Sequence, residues 1–182
     1  MSLNHATQSS QLTDEHFKAI GKLVVEWANI EFLLRSTLAR LLLTPDFLGR
    51  TYTDQMSVAR IQEALNEAID LHIGRYGYGL IPKHTIEEIA KINRRISKLR
   101  STRNKFAHFC WGRNNDEEIF GTNFSGGLPG TKKHEKSFIV LKISEVNDLC
   151  EECYKIVERL NQITYKLPEL DEEGIKSKLK YP

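Results

Sequence analysis

The sequence predicts an all-α fold, an antiparallel four-helix bundle with a small β-hairpin inserted between the third and fourth helices. Three observations predict it. Apolar residues recur at three- and four-residue steps in four long segments. Proline or glycine follows each of them, at Pro45, Gly74, Gly112 and Pro168. Only the stretch between Trp111 and Ile143 reads instead as short β-rich pieces. Amphipathic helices joined by short or moderate connections bury their stripes most economically by packing side by side.

The first helix is expected over Thr13 to Leu43, with Phe17, Ile20, Val24, Trp27, Leu34, Leu38 and Leu41 along one stripe. Thr44-Pro45 ends it, because proline removes a backbone donor and disfavours helical geometry just before it. A short connection leads to a second helix, capped by Thr53 or Asp54, with Val58, Ile61, Leu65 and Ile69 inward, which finishes near Gly74. Thr85-Ile86-Glu87-Glu88 has the form of a capping box and places the start of the third helix at Ile86. Its stripe runs Ile89, Ile92, Ile96, Leu99, Arg103, Phe106 and Cys110. Strand-like segments at Glu118–Phe124 and Ser137–Ile143 give the hairpin. Ser144 caps a fourth helix with Val146, Leu149, Cys153, Ile156, Leu160, Ile163 and Leu167 inward.

The 182 residues suit one helical domain at 13–167, with the hairpin at about 116–143, a flexible N-terminus at 1–12 and a tail at 168–182. With 40% hydrophobic and 27% charged residues and a net charge of +2, the composition excludes disordered, collagen-like and coiled-coil classes. The longest apolar run, Leu38 to Leu43, is interrupted by Arg40 and falls far short of the ~20 residues of a membrane span. The N-terminus lacks a secretory layout, so a cytoplasmic location is expected. Three cysteines, an odd and sparse set, read as reduced thiols.

Charge is segregated. Between Ile89 and Arg113 there are eight basic residues and no acidic ones, whereas Leu141 to Gly174 carries nine acids against four bases. A local basic surface attracts polyanions by phosphate contact and counterion release, so nucleic acid is the leading ligand class. A plainer explanation is a solvated basic face paired with the acidic fourth helix. Arg103 sharpens the choice, because a guanidinium on an apolar stripe is expected to be paired or to line a cleft or interface. Five residues on is His108, the side-chain type that carries protons near neutral pH.

The segment Arg103-Asn104-Lys105-Phe106-Ala107-His108, late in a helix of an all-α domain, resembles the R-x4-6-H signature of HEPN domains. It is the only Arg-x4-6-His in the chain. The long first helix, with Val25-Glu26-Trp27-Ala28-Asn29-Ile30-Glu31, is similar to the opening helix of several HEPN groups. The resemblance covers the layout from Thr13 to Leu167 but is sharp at six residues. It implies metal-independent RNA cleavage without a cofactor, in which the 2′-hydroxyl attacks phosphorus to leave a cyclic phosphate and a 5′-hydroxyl. His108 would then transfer the proton, Arg103 would stabilise the phosphate charge, and Asn104, one turn before His108, would orient it or hold the ribose or phosphate. Lys98, Arg100, Lys105, Trp111 and Arg113 are the accompanying RNA-binding candidates, and Glu31 is a candidate support for Arg103 if it faces inward in place of Ile30. Relatives include toxin-type and phage-defence effectors, so a neutralising antitoxin is an implied partner. Five residues on an ideal helix turn through 500°, leaving about 140° between Arg103 and His108. Either the helix is distorted or two chains contribute, and the resemblance implies a homodimer through the third helix.

Other signals carry less. Cys150-x-x-Cys153 lacks the further ligands of a zinc site and reads as core packing, so no metal is expected. Gly126 to Lys132 lacks the Gly-Lys-Ser/Thr ending of a phosphate loop. Trp111 reads as a packing anchor as readily as a base-stacking platform. The competing functional class is a catalytically silent helical module that binds RNA, a nucleotide or a partner protein with the same basic cleft.

Overall fold

The computed structural model of the chain describes residues 10–124 and 136–170. The described residues are predominantly helical. Five helices and a three-stranded antiparallel sheet follow in the order α1 (Asp14–Leu41), α2 (Asp46–Thr53), α3 (Val58–Gly74), α4 (Lys83–His108), β1 (Cys110–Arg113), β2 (Glu118–Phe124), β3 (Lys136–Lys142) and α5 (Ile143–Thr164). The expected glycine-rich loop at Gly126 to Lys132 and most of both expected termini lie outside these residues. No described helix is long and apolar enough to cross a membrane.

The chain divides into two compact units. The first takes residues up to Trp27 and Arg100 to Tyr154. Its core is built from Ala19, Leu23, Trp27, Phe106, Ile119, Val146 and Cys153. The sheet is a meander in the order β1-β2-β3. The expected hairpin is therefore present as β2 and β3, with Gly121 opposite Ile139, and a third strand is added to it. That strand begins at Cys110, where the sequence had suggested a continuing helical stripe; its register sets Trp111 opposite Gly121 and Gly112 opposite Phe120. Both glycines are required by ring packing. A Cβ on Gly112 would lie 2.6 Å from the Phe120 ring, and one on Gly121 2.8 Å from the Trp111 ring. Between β1 and β2, Asn115 Oδ1 accepts from the Glu117 amide in a side-chain-closed turn.

Helix α5 leaves β3 without an intervening residue, so Ser144 is not its cap. The Lys142 amide donates to the Glu145 carboxylate at 2.7 Å, and the Ile143 amide to the Glu117 carbonyl at 2.8 Å. At the start of α1, the Thr13 amide donates to His16 Nδ1 at 3.0 Å, while His16 Nε2 faces the Asp116 carbonyl at 3.1 Å. A carbonyl only accepts, so the proton sits on Nε2 and this buried ring ties α1 to the β1–β2 turn.

The second unit takes Ala28 to Leu99 and the residues from Lys155 onward. Ile30, Leu34, Leu38, Ile61, Leu65, Ile86, Ile89, Ile96, Ile156 and Leu160 fill its core. Several buried polar groups are paired there. Gln62 and Asn93 exchange hydrogen bonds, the Gln62 amide donating to Asn93 O at 2.9 Å and to its Oδ1 at 3.0 Å, and Asn93 Nδ2 returning one to Gln62 O at 3.0 Å. Thr37 and Thr164 join α1 to α5 through their hydroxyls at 2.7 Å. Buried Arg40 bridges Asp46 and Glu169, each at 3.0 Å.

Several expectations are corrected. Phe17 and Val24 are exposed, and the inward line of α1 instead reads His16, Ala19, Leu23, Trp27, Ile30 and Leu34. Both lines obey helical spacing and share Trp27, and packing turned inward the one that runs through His16 and Leu23. The connection after Pro45 contains a helix, α2, which Pro45 opens in extended geometry and whose Gly49 presses on α1 so closely that a Cβ would sit 2.4 Å from Ala39 Cβ. Helix α3 is capped by Ser57, whose hydroxyl accepts from the Arg60 amide at 3.3 Å, not by Thr53 or Asp54; Thr53 is turned inward. Helix α4 starts at Lys83, before the expected capping box. The Thr85 and Ile86 amides go to the Pro82 carbonyl, Thr85 is buried, and the Glu88 carboxylate pairs with Arg159.

Candidate functional site

The last two turns of α4, within the first unit, carry the Arg-Asn-x3-His sequence. Arg103 is half-buried, and its guanidinium carbon lies over the ring of buried Trp27, 5.7 Å from the centroid. A cation over an indole face is attracted by the ring quadrupole, which accounts for a guanidinium on an apolar stripe. Arg103 Nη1 also faces Asn104 Oδ1 at 3.5 Å, the outer limit of a hydrogen bond. Asn104 is exposed. His108, the final residue of α4, is exposed too, and its ring makes no hydrogen bond among the described residues.

Helix α4 stays α-helical from Lys83 to His108. The distortion that would bring Arg103 and His108 together within one chain is therefore absent, and their Cα–Cβ directions remain about 140° apart. Asn104 and His108, four residues apart, share a face.

The other candidates are distributed unevenly. Lys105 is half-buried on the same turn, and Arg100, also half-buried, opens this unit's part of α4. Lys98 is exposed, on the same helix but in the second unit. Arg113 ends β1 and is ion-paired with Asp116, three residues on. Trp111 stacks on Phe106 with centroids 4.6 Å apart, and its Nε1–H donates to the Phe106 carbonyl at 3.3 Å. Its polar atom and one ring face are thus used in packing. Glu31 is half-buried while Ile30 is fully buried, so Ile30 takes the inward position. The ion pair between Glu88 and Arg159, with the acid on α4 and the base on α5, runs opposite to the net charges of those helices.

A separate cavity of about 520 Å³ opens between the first half of α1 and the first half of α5, lined by Lys18, Lys22, Glu26, Cys150 and Tyr154 among others. None of Arg103, Asn104 or His108 lines it. Sequence spacing gave no sign of it, because its two walls are over a hundred residues apart. Cys150 donates to the Ala19 carbonyl at 3.7 Å, and Cys153 is buried in the core. Burial pushes both thiols up, Cys153 to about 12, with Cys150 and Glu26 adding to the effect on Cys153. Among the described residues, no group of His, Cys, Asp or Glu is arranged to hold a metal ion. Comparison of the chain with protein-family models, with curated proteins and with solved structures gives no match.

Proposed function

We propose that the chain is a HEPN-like, metal-independent endoribonuclease that works as a cytoplasmic homodimer, in the manner of a toxin or phage-defence effector held in check by an antitoxin. In this reading α1, α3, α4 and α5 are the four helices of a HEPN-type antiparallel bundle, α2 is an addition, and the sheet is the insertion. The observation that carries the proposal is Arg103, held half-buried over Trp27 at the end of a basic helix, followed by Asn104 and an exposed His108.

The chemistry asked of these residues is modest. The ribose 2′-oxygen attacks the neighbouring phosphorus, the bond from phosphorus to the 5′-oxygen breaks, and a cyclic phosphate and a 5′-hydroxyl result. A neutral His108 takes the 2′-proton, and a protonated His108 from a second copy gives one to the leaving 5′-oxygen. Each such transfer contributes ~10²- to 10⁴-fold. The Arg103 fork stabilises charge on the non-bridging phosphate oxygens. The regular course of α4 supports a shared site, because a two-fold interface along α4, with the two helices antiparallel, would bring one copy's Arg103 toward the other's His108.

Purified protein incubated with total RNA in EDTA should produce new cyclic-phosphate ends, and His108→Ala should abolish them while RNA binding persists. Equal cleavage by His108→Ala, or no new ends from the unsubstituted protein, rejects the nuclease. One observation favours the competing binding module: no group among the described residues orients the His108 ring, whereas a proton-transfer imidazole is usually held by a third partner. Salt-sensitive RNA binding without cleavage is the result that reading expects.

A further inference from the structure

We infer that the second unit carries a self-association face, formed by the end of α1, by α2 and by the end of α3, and that a second copy of this chain covers it. Six large apolar side chains are exposed there: Leu42 (50%), Phe47 (76%), Leu48 (58%), Tyr52 (73%), Leu71 (55%) and Tyr76 (51%). Five of them line two adjoining clefts, and Phe47 is next to Leu48 on α2. A cleft of about 260 Å³ lined by Leu42, Leu48 and Tyr52 meets a second of about 110 Å³ lined by Leu71 and Tyr76, and Leu42 belongs to both.

The local cause is the way α2 docks. Gly49 and Thr53 are its buried residues, so this eight-residue helix sets two small residues against the core and turns its large ones outward. Taking about 200 Å² for a large apolar residue in the open, the six expose roughly 700 Å². The largest apolar patch of an ordinary monomer spans ~300–600 Å². A standard interface takes ~800 Å² from each partner. One such face therefore nearly supplies a full half-interface by itself.

A second copy fits because the face is self-complementary. It carries both a protruding ring, Phe47, and an adjoining apolar cleft of 260 Å³. An apolar cavity of ~150 Å³ already accommodates benzene, so the cleft has room for a phenyl ring. About an isologous two-fold axis each Phe47 enters the other copy's cleft, and no further molecule is needed. Asp46 and Arg50 beside it are paired with each other within one chain at 3.8 Å, so they set no unpaired charge against a second copy. This inference does not rest on the RNA reading. It concerns a different surface from the end of α4.

The test is the solution mass of the full chain by light scattering, with the double variant Leu48→Asp/Tyr52→Ser beside it. Both positions are exposed, so the variant should fold, and its circular dichroism and melting curve check that. The expected result is an assembly whose mass halves in the variant and is unchanged in His108→Ala. Hydrogen exchange of the unsubstituted protein supplies a second reading, with α2 amides losing protection on dilution from high to low micromolar concentration. A monomer at all concentrations, a mass that the double variant leaves intact, or α2 protection indifferent to dilution overturns the inference.

Discussion

Arg103 holds its guanidinium over the indole of Trp27, 5.7 Å from the ring centroid, across a separation of 76 positions in the sequence. This contact separates holding the arginine from using it. Arg103→Lys keeps the charge but loses the planar fork, and under the proposed nuclease function RNA cleavage should fall by ~10²-fold or more. Stability should fall by only about 0.5–1 kcal/mol, the size of a partly exposed cation–π contact. Urea titration beside the cleavage assay reads both. A stability loss of several kcal/mol would mean that Arg103 serves the fold alone.

His108 makes the converse case. Its ring is exposed and unbonded among the described residues, so His108→Ala should leave the unfolding free energy within about 0.5 kcal/mol of the unsubstituted protein. Loss of cleavage at unchanged stability is the signature of a chemical role. Thermal melts with matched activity assays check it.

The Gln62–Asn93 pair should dominate the polar stability of the second unit. Asn93→Leu removes the Oδ1 that accepts from the Gln62 amide and the Nδ2 that donates to the Gln62 main-chain carbonyl, while the Asn93 main-chain carbonyl still accepts from Gln62, so the cost should be about 1–3 kcal/mol. Denaturant unfolding measures this, and a loss below half of that figure would show that the site rearranges to satisfy Gln62.

Gly121→Ala should destabilise the first unit by about 1–3 kcal/mol, because the added methyl meets the Trp111 ring at 2.8 Å. Trp111 fluorescence should shift as the indole moves off Phe106. Gly74→Ala, where an added Cβ meets nothing within 4 Å, is the control and should not show this loss.

The thiols give a pH prediction. Cys153 is held in its neutral form up to about 12, against an ordinary value of 9.0, chiefly by burial. Because the folded value is raised, its contribution to stability is full below pH 9.0 and is lost as pH climbs toward 12. Alkylation mapped by mass spectrometry at mildly alkaline pH should label exposed Cys110 first and Cys153 only after unfolding. Stability that rose between pH 9 and 11 in the native protein relative to Cys153→Ala would contradict this assignment.

The helical periods of α3, α4 and α5 were readable because each depends on residues three and four apart. The stripe of α1 was half misread, since Phe17 and Val24 satisfy the same spacing as His16 and Leu23 and only a partner surface chooses between them. Helix α2 was missed although Pro45-Asp46 is a start signal, with Asp46 acidic in the first turn and Arg50 basic in the last. The Thr85–Glu88 box failed because Arg159, over seventy positions away, takes the Glu88 carboxylate that the box requires. Nothing in sequence announces His16, whose partner Asp116 lies a hundred positions on.

The sequence by itself determined the helical class, the basic course of α4 and the Arg-Asn-x3-His spacing at its end, because all three are properties of one short stretch of chain. Tertiary structure alone decided that Arg103 rests on Trp27, that Ile30 and not Glu31 turns inward, that Cys110 to Arg113 pair as a strand, and that α2 leaves its large residues uncovered. Those outcomes depend on contacts between distant segments, where several local patterns are equally allowed and the packing of the surrounding side chains selects one.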